Sequence, residues 1–549
     1  MALETRHNMI DYDDTYATFR WQHPDRFNFA RDVIDTWAAE HPNKLAMHWV
    51  DDTGGEATRT FTHFSTASKK CCNVLTQTGV QRGDTVILIL GRNIEWWEIV
   101  TACLRLGAVI SPGTTQLTAN DIAYRVNTAQ ATCFITDTVN AAKLEQVAEQ
   151  CRGLKSRLVV GGARAGWTDY GAAMAEASEQ VDTPDTHGDE NAMCYFTSGT
   201  TGKPKMTMHT HISYPLGHET TGRFWLDLRP EDLHWNISDT GWAKAAWSSY
   251  FGPWLCGAAI FVHHTTGFDP KRTLELLQYY PITTMCGAPT VYRMLVREDL
   301  TRYRFPSLRH CVGAGEPLNP EIIEVWKQAT GLTIRDGYGQ TETVLLCGSF
   351  PCIEPRVGSM GKPAPGIDLQ VIDAAGNVAP PHTEGDIAIR VQPERPVGLF
   401  KEYWQDPEKT AAAFKGDWYL TGDRAYVDED GYFWFVGRVD DVILSSGYRI
   451  GPFEVESALL EHPAVVESAV VSSPDQTRGE VVKAFVLLAP GYEPSEALTK
   501  ELQDHVKHVT APYKYPRKLE FVRDLPKTVS GKIRRVELRQ REWAGTRQA

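Results

Sequence analysis

Strand-length apolar runs alternate with helix-length stretches along most of this chain, and that rhythm restricts its fold more than any other feature. DTVILIL (84–90) reads as a buried strand, and EWWEIVTACLRLGAVI (95–110) as an amphipathic helix running into a strand. ATCFITD (131–137) and SRLVVGG (156–162) are further strands. KRTLELLQYY (271–280) precedes ITTMCGAP (282–289), and SLRHCVGAGEPL (307–318) precedes EIIEVWKQAT (321–330). Strands that alternate with helices predict an α/β fold of parallel sheets covered by helices. At 549 residues the chain exceeds one compact core, so several subdomains are expected.

The texture changes after residue 365. IDLQVIDAAGNVAP (367–380) and GDIAIRV (385–391) read as antiparallel strands joined by a Gly-Asn turn, and DEDGYFWFVGR (428–438) reads as a hairpin, so a small β subdomain is expected here. A new αβ unit starts at VDDVILSSGYRIGPFEVE. We therefore expect a large domain over 1–439 and a small α+β domain over 440–549. No internal repeat or low-complexity tract interrupts either.

Composition excludes several classes. A net charge of −13 argues against a protein that binds nucleic acid or anionic membrane over its whole surface. The longest apolar runs, such as VILIL (86–90), have strand length, so no membrane span is expected. Eleven scattered cysteines without a CxxC pair argue against a disulfide framework or a structural zinc site. The N-terminus, MALETRHNMIDYDDTY, carries several acids and no apolar core. Together these predict a cytoplasmic protein in a reducing compartment. Oligomeric state stays open, with a homo-oligomer one alternative.

YFTSGTTGKPKM (195–206) is the densest chemical signal. Hydroxyls of Thr197, Ser198, Thr200 and Thr201, backbone N–H groups freed by Gly199 and Gly202, and the charges of Lys203 and Lys205 suit a polyphosphate. It is not a Walker loop, which needs four residues between the glycines and Ser or Thr after the lysine. Here Pro204 follows Lys203 and keeps a helix from starting. Taken alone, such a segment reads more readily as a solvated surface loop.

TSGTTGKPK resembles the phosphate-loop signature of adenylate-forming enzymes, the superfamily of acyl-CoA synthetases, luciferases and peptide-synthetase adenylation domains. GYGQTET (337–343), YLTGDRAYVDEDGYFWFVGRVDD (419–441), SSGYRIGPFEVE (445–456) and PKTVSGKIRR (526–535) match the same family in order. WNISDTGWAKAAWSSYFGPW (235–254) and APYKYPRK (511–518) are similar to its medium-chain acyl-CoA synthetase branch. The resemblance implies a two-step reaction: a carboxylic acid and ATP give an acyl-adenylate and pyrophosphate, then the thiol of CoA displaces AMP. It implies that Lys532 bridges the carboxylate and α-phosphate, that Thr341 contacts the α-phosphate, and that Glu342 holds Mg2+. Asp423 would take the ribose and Arg438 the ribose or a phosphate; Gly315, Glu316, Pro317 and Asp336, Gly337, Tyr338, Gly339 and Gln340 would wall the adenine. Asp440 would be the hinge about which the small domain turns between the two steps. Ser446, Gly447 and Tyr448 would line the pantetheine path, with Arg449 on phosphate or the acyl group.

Residues 505–539 hold ten Lys/Arg against three Asp/Glu, a local charge of +7 that suits the phosphates of CoA. Arg478, Lys507, Tyr515, Pro516 and Arg517, with Gln116 from the large domain, are the candidates there. For the acyl group the candidates are Trp242, Gly339, Thr341 and Arg449, with Trp247 and Trp254 in the same tryptophan-rich segment. Acetate-activating relatives carry Trp where this chain has Gly339, so a longer, medium-chain or branched acid is expected. His209, His211 and His218 lack a metal-ligand pattern and read as solvent-facing or capping residues, while His263 and His264 read as the end of a strand. Cys71 and Cys72 read as buried thiols on a helix. Rival readings keep the fold but load a carrier protein, use a luciferase-type oxygenation, or bind nucleotide without catalysis.

Overall fold

The structure is a computed structural model that describes residues 7–197, 204–445, 448–475, 478–528 and 532–544, with the Arg449 side chain also outside the description. Four sheets organise the described residues. In the first, Leu45–Asp51, Leu233–Ile237, Ala259–His264, Thr284–Gly287, His310–Ala314 and Ile334–Gly339 run parallel, and antiparallel strands close both edges. In the second, Thr85–Ile89 lies between Val109–Gly113 and Cys133–Asp137, all parallel. Its other edge is antiparallel: Asn191–Thr197 pairs Lys205–Thr210, which pairs Glu402–Tyr403. Parallel strands buried on both faces read as continuous apolar runs, and every residue of Thr85–Ile89 is buried.

The helix Ile94–Leu106 departs from its expected amphipathic form. Every residue from Trp96 to Arg105 is buried, so it is covered on all sides. Most of its polar groups find internal partners, although the Trp96 indole nitrogen has none among the described residues. Trp97 donates to the Ser249 carbonyl at 2.7 Å, Thr101 pairs with Tyr250 at 2.7 Å, and the Arg105 guanidinium meets Asp35 at 2.7 Å. Cys71 and Cys72 lie buried on helix Phe61–Gln77. Among the described residues no helix is long and apolar enough to cross a membrane.

The third sheet is antiparallel, with Leu369–Ile372, Gly385–Arg390, Trp418–Val427 and Phe433–Arg438 in sequence. The Gly-Asn turn does not join its first two strands. It folds back within the first segment, where the Asp373 N–H donates to the Asn377 carbonyl at 2.9 Å and Ile372 bridges Val378. The fourth sheet uses only later residues: Ile443–Ser445, Tyr448–Ile450, Val465–Asp475, Gly479–Leu488 and Lys518–Phe521. Its own apolar core, around Ile450, Val455, Leu459 and Val470, makes it a smaller α+β domain. A cleft of about 890 Å³ lies between it and the large domain.

Candidate active site

Two parallel strands deliver the floor of this cleft. His310–Ala314 and Ile334–Gly339 pair so that Gly313 faces Asp336 and Ala314 faces Gly337. Their carboxyl ends open into the loops carrying Gly315, Glu316, Pro317 and Gln340, Thr341, Glu342, all of which line the cleft. Ligands sit at such strand ends in open α/β sheets. Gly315 has φ +115°, a left-handed conformation that suits glycine. Glu316 accepts from Thr290 at 2.9 Å and from Arg293 at 3.1 Å. Burial pushes its pKa up, but Arg293 and Thr290 outweigh that and hold it below the usual value. Burial pushes Asp336 up to about 7 against the backbone N–H of Gly337, which it accepts at 2.8 Å, and the charge of Lys244.

Asp423 reaches the same cleft from strand Trp418–Val427. Its Oδ2 accepts from the Tyr338 hydroxyl at 2.6 Å and from Gln340 Nε2 at 2.8 Å. Arg438, its cross-strand partner, stands 3.8 Å from Oδ1. Burial raises the Asp423 pKa against these neighbours. The arrangement fixes one carboxylate oxygen and leaves the residue, 7% exposed, at the cleft wall.

The third cluster contains a residue that sequence reasoning missed. Tyr403 donates its hydroxyl to Glu342 Oε1 at 2.9 Å, and Lys205 donates to the same hydroxyl at 2.9 Å. Lys205 Nζ also stands 3.7 Å from Glu342 Oε1 and 4.1 Å from the Tyr403 ring centroid. Desolvation lowers the Lys205 pKa, with Glu342 opposing. Tyr403 arrives because Glu402–Tyr403 pairs the strand that leaves the phosphate loop. Nothing in KEYWQDP announces that pairing. Thr197, the last described residue before the loop, lines the cleft with Lys205. Ser198, Gly199, Thr200, Thr201, Gly202 and Lys203 lie outside the described residues.

Lys532 lines this cleft from the small domain. It is open to the cleft's solvent yet ringed by protein, and desolvation lowers its ammonium pKa, with Glu316 the strongest opposing charge. Its backbone N–H donates to Thr528 Oγ1 at 3.1 Å, and its carbonyl accepts from the Thr528 N–H at 2.7 Å, which closes the turn that projects it. Three residues on, Arg535 grips buried Glu456 through Nε at 2.9 Å and a second nitrogen at 2.5 Å. Glu456 also accepts from the Val470 N–H at 2.8 Å, so the lysine turn is tied to the small domain's core.

The candidate CoA residues divide. Lys507 and Arg517 bracket the Tyr515 ring at 4.3 and 4.8 Å, and Arg517 donates to the Tyr515 hydroxyl at 2.7 Å. The Pro516 carbonyl accepts from Gln503, and Tyr448 stacks on Tyr513 at 4.3 Å. Arg478 donates its backbone N–H to Asp475, and Gln116 sits exposed in the loop before helix Ala119–Thr128. None of these candidates, Lys507, Tyr515, Pro516, Arg517 and Tyr448 included, is among the cleft residues. Ser446 and Gly447 lie outside the described residues. The local charge of +7 is much less free than the count suggests. Lys507, Lys514, Lys527, Arg535 and Arg539 pair with Asp504, Glu454, Glu467, Glu456 and Asp441, all acids outside residues 505–539.

The acyl candidates change most. Trp242 precedes the short helix Ala243–Ala246 and is not among the cleft residues. Trp254 is fully buried, donates to the Ala46 carbonyl, and belongs to the core. Trp247 occupies the space beside Gly339. A Cβ there would stand 2.4 Å from the Trp247 ring and 2.5 Å from the Val344 carbonyl oxygen. So Gly339 makes room for this protein's own indole. Gly339→Trp is accordingly expected to cost about 1–3 kcal/mol or more by overpacking, read as a lower denaturation midpoint. Retained stability with a shift toward acetate would restore the plug reading. The three histidines also correct the expectation: His209, His211 and His218 are fully buried, and burial pushes the first two down to about 3 and about 4. His263 and His264 do end their strand. No group of three or more potential metal ligands occurs among the described residues.

Residues 34–404 match the sequence family described as AMP-binding enzyme, and residues 454–532 match the AMP-binding enzyme C-terminal domain. This chain belongs to that family of adenylate-forming enzymes. It is 54% identical over 548 residues to acyl-coenzyme A synthetase ACSM3, mitochondrial, of Homo sapiens, covering 98% of this chain and 94% of the relative. It is 53% identical over 532 residues to acyl-coenzyme A synthetase ACSM4, mitochondrial, of Homo sapiens, covering 95% and 92%. Its fold is similar to the anthranilate CoA ligase AuaEII in complex with anthranoyl-AMP, at TM-score 0.88 and 31% identity, over 95% of this chain and 99% of that one. Both human relatives are mitochondrial proteins, which overturns the expectation of a cytoplasmic one. Reduced cysteines do not distinguish one reducing compartment from another.

Proposed function

We propose that this protein is an ATP-dependent, AMP-forming acyl-CoA synthetase, an acid–thiol ligase for medium-chain or branched carboxylic acids. In the first step the carboxylate attacks the α-phosphorus of ATP and pyrophosphate leaves. In the second the CoA thiol attacks the acyl carbon and AMP leaves. One observation carries the reading: Lys532 shares a single cleft with Thr341, Glu342, Asp423 and Arg438, although these residues come from both domains. Negative charge builds at the α-phosphate during the first step, and cations or donors placed there in advance lower its barrier. Lys532 and Thr341 take that task. Asp423 has an oxygen for the ribose diol, and Lys205 lies toward the leaving phosphates.

Mg2+ fits the donor set, since a single carboxylate plus substrate phosphates is its usual arrangement. Glu342 would hold it, with Tyr403 orienting the carboxylate, and the ion would neutralise phosphate charge. We place the domain boundary and hinge at Asp440, so that rotation there withdraws Lys532 and brings the segment around Tyr448 inward for CoA. The cluster of Lys507, Tyr515 and Arg517 then suits the CoA nucleotide.

The test is AMP production from ATP and Mg2+ with acids from acetate to decanoate, plus branched and aromatic acids, with and without CoA. CoA-dependent turnover that peaks beyond propionate is the expected result. Pyrophosphate release without thioester would identify another acceptor, and no release with any acid would leave a nucleotide-binding protein.

A further inference from the structure

Beneath the Gln340–Thr341–Glu342 turn lies a polar network that the chemistry above does not use. His209 sits on strand Lys205–Thr210, fully buried, with its Nε2 2.7 Å from the Thr341 carbonyl oxygen. Its Nδ1 stands 3.1 Å from Ser213 Oγ, and that oxygen also accepts from the Thr210 N–H at 2.9 Å. A carbonyl only accepts, so Nε2 must carry the ring proton. Nδ1 is then an acceptor, and the Ser213 hydroxyl donates to it. Each contact assigns the next, and one tautomer satisfies all of them. The ring packs against Tyr214, with centroids 3.8 Å apart and planes tilted by 30°, and Tyr214 is fixed by the Trp247 indole at 2.7 Å.

The turn above has other ties as well, including the Thr343–Leu399 bridge and the Thr343 N–H to the Gln340 carbonyl at 3.2 Å, but these hold the residues on either side of the Thr341 carbonyl. Phe400 N–H holds the Glu342 carbonyl at 2.8 Å, and Thr343 Oγ1 accepts from Gln340 N–H at 3.0 Å. The Thr341 carbonyl receives His209. A peptide plane rotated there redirects the Thr341 side chain on one side and the Glu342 side chain on the other.

We infer that His209 is a positioning residue for the adenylation step: its neutral Nε2–H donor fixes the Thr341–Glu342 backbone and so aims both side chains at the reacting phosphate. This rests on the proposed roles of Thr341 and Glu342. Burial holds the His209 pKa near 3, so the donor stays a neutral imidazole across the working pH range.

The experiment separates the half-reactions. Adenylation is read as single-turnover pyrophosphate release without CoA, using the best acid of the panel above. Thioester formation is read from the synthetic acyl-adenylate of that acid plus CoA. For His209→Phe, which keeps the ring and removes the donor, adenylation should fall about 10- to 100-fold, because small misplacements of reacting groups are that costly. The KM for ATP should hold within about twofold, and thioester formation should be unchanged. His209→Gln restores an N–H at the Nε2 position and should recover most of the rate. Ser213→Ala loosens the tautomer and should give a smaller loss with the same split. Wild-type adenylation in His209→Phe, equal loss of both half-reactions, or no recovery in His209→Gln would overturn the inference. If His209→Phe does not fold, Ser213→Ala decides: the split supports the inference, and an unchanged adenylation rate overturns it. Glu342→Gln run alongside distinguishes the two levels, since unimpaired adenylation there would overturn the proposed site itself.

Discussion

Lys532→Ala should cripple acyl-adenylate formation while leaving thioester formation from a supplied acyl-adenylate intact. The expected loss in the first half-reaction is about 10²- to 10³-fold, the usual cost of removing one aimed charge from a developing oxyanion. The structure makes this variant clean. Lys532 lines the cleft through its side chain, while the turn that carries it is held by backbone bonds to Thr528 and by the Arg535–Glu456 pair. Removing the ammonium therefore leaves the scaffold in place. Pyrophosphate release and thioester formation, measured separately, check the result. Equal losses in both would show that Lys532 supports the domain rather than the chemistry.

Asp440→Pro should give the opposite split. Asp440 follows Arg438 at the end of the third sheet and precedes Ile443 at the start of the fourth. Arg539 donates to the Asp440 carbonyl and to Asp441 Oδ1, which fastens this short linker to helix Arg535–Ala544 in the arrangement seen here. Proline fixes φ near −65° and restricts the preceding residue. With Lys532 held in the cleft, adenylation should continue. Thioester formation, which needs the other arrangement, should fall about 100-fold or more, as expected when a gating step is blocked. Unchanged rates in both half-reactions would remove the hinge from Asp440. A variant that loses adenylation instead would show that the fixed φ favours the second arrangement.

Parts of the molecule were legible in the sequence because local pattern decides them. Thr85–Ile89 and His310–Ala314 are short, mostly apolar runs buried along their whole length, and such runs fold as central parallel strands. The motif around Gly337 to Glu342 was readable for the same reason, since strand end and loop are contiguous in the chain. His209 was not readable. Its strand is buried almost throughout, so alternation gives no inward face to distinguish, and its partner carbonyl lies 132 residues away. The surroundings of Gly339 were hidden for a related reason. A missing side chain looks like empty space in a sequence, but Trp247 fills it from another element. The basic C-terminal stretch was misjudged because the acids that neutralise it, such as Glu454, Glu456 and Glu467, precede it by dozens of residues.

The pairing of Glu402–Tyr403 with Lys205–Thr210 has a consequence for the order in which the chain becomes competent. The strand leaving the phosphate loop has its outer edge completed only by residues some 200 positions later. A nascent chain that has not yet released Tyr403 from the ribosome has an uncovered strand edge at that point, a feature prone to pairing with other chains. It also has no phenol between Lys205 and Glu342. Nucleotide capture should therefore appear late in synthesis, once the large domain is nearly complete, and fragments ending before residue 400 should be the aggregation-prone ones.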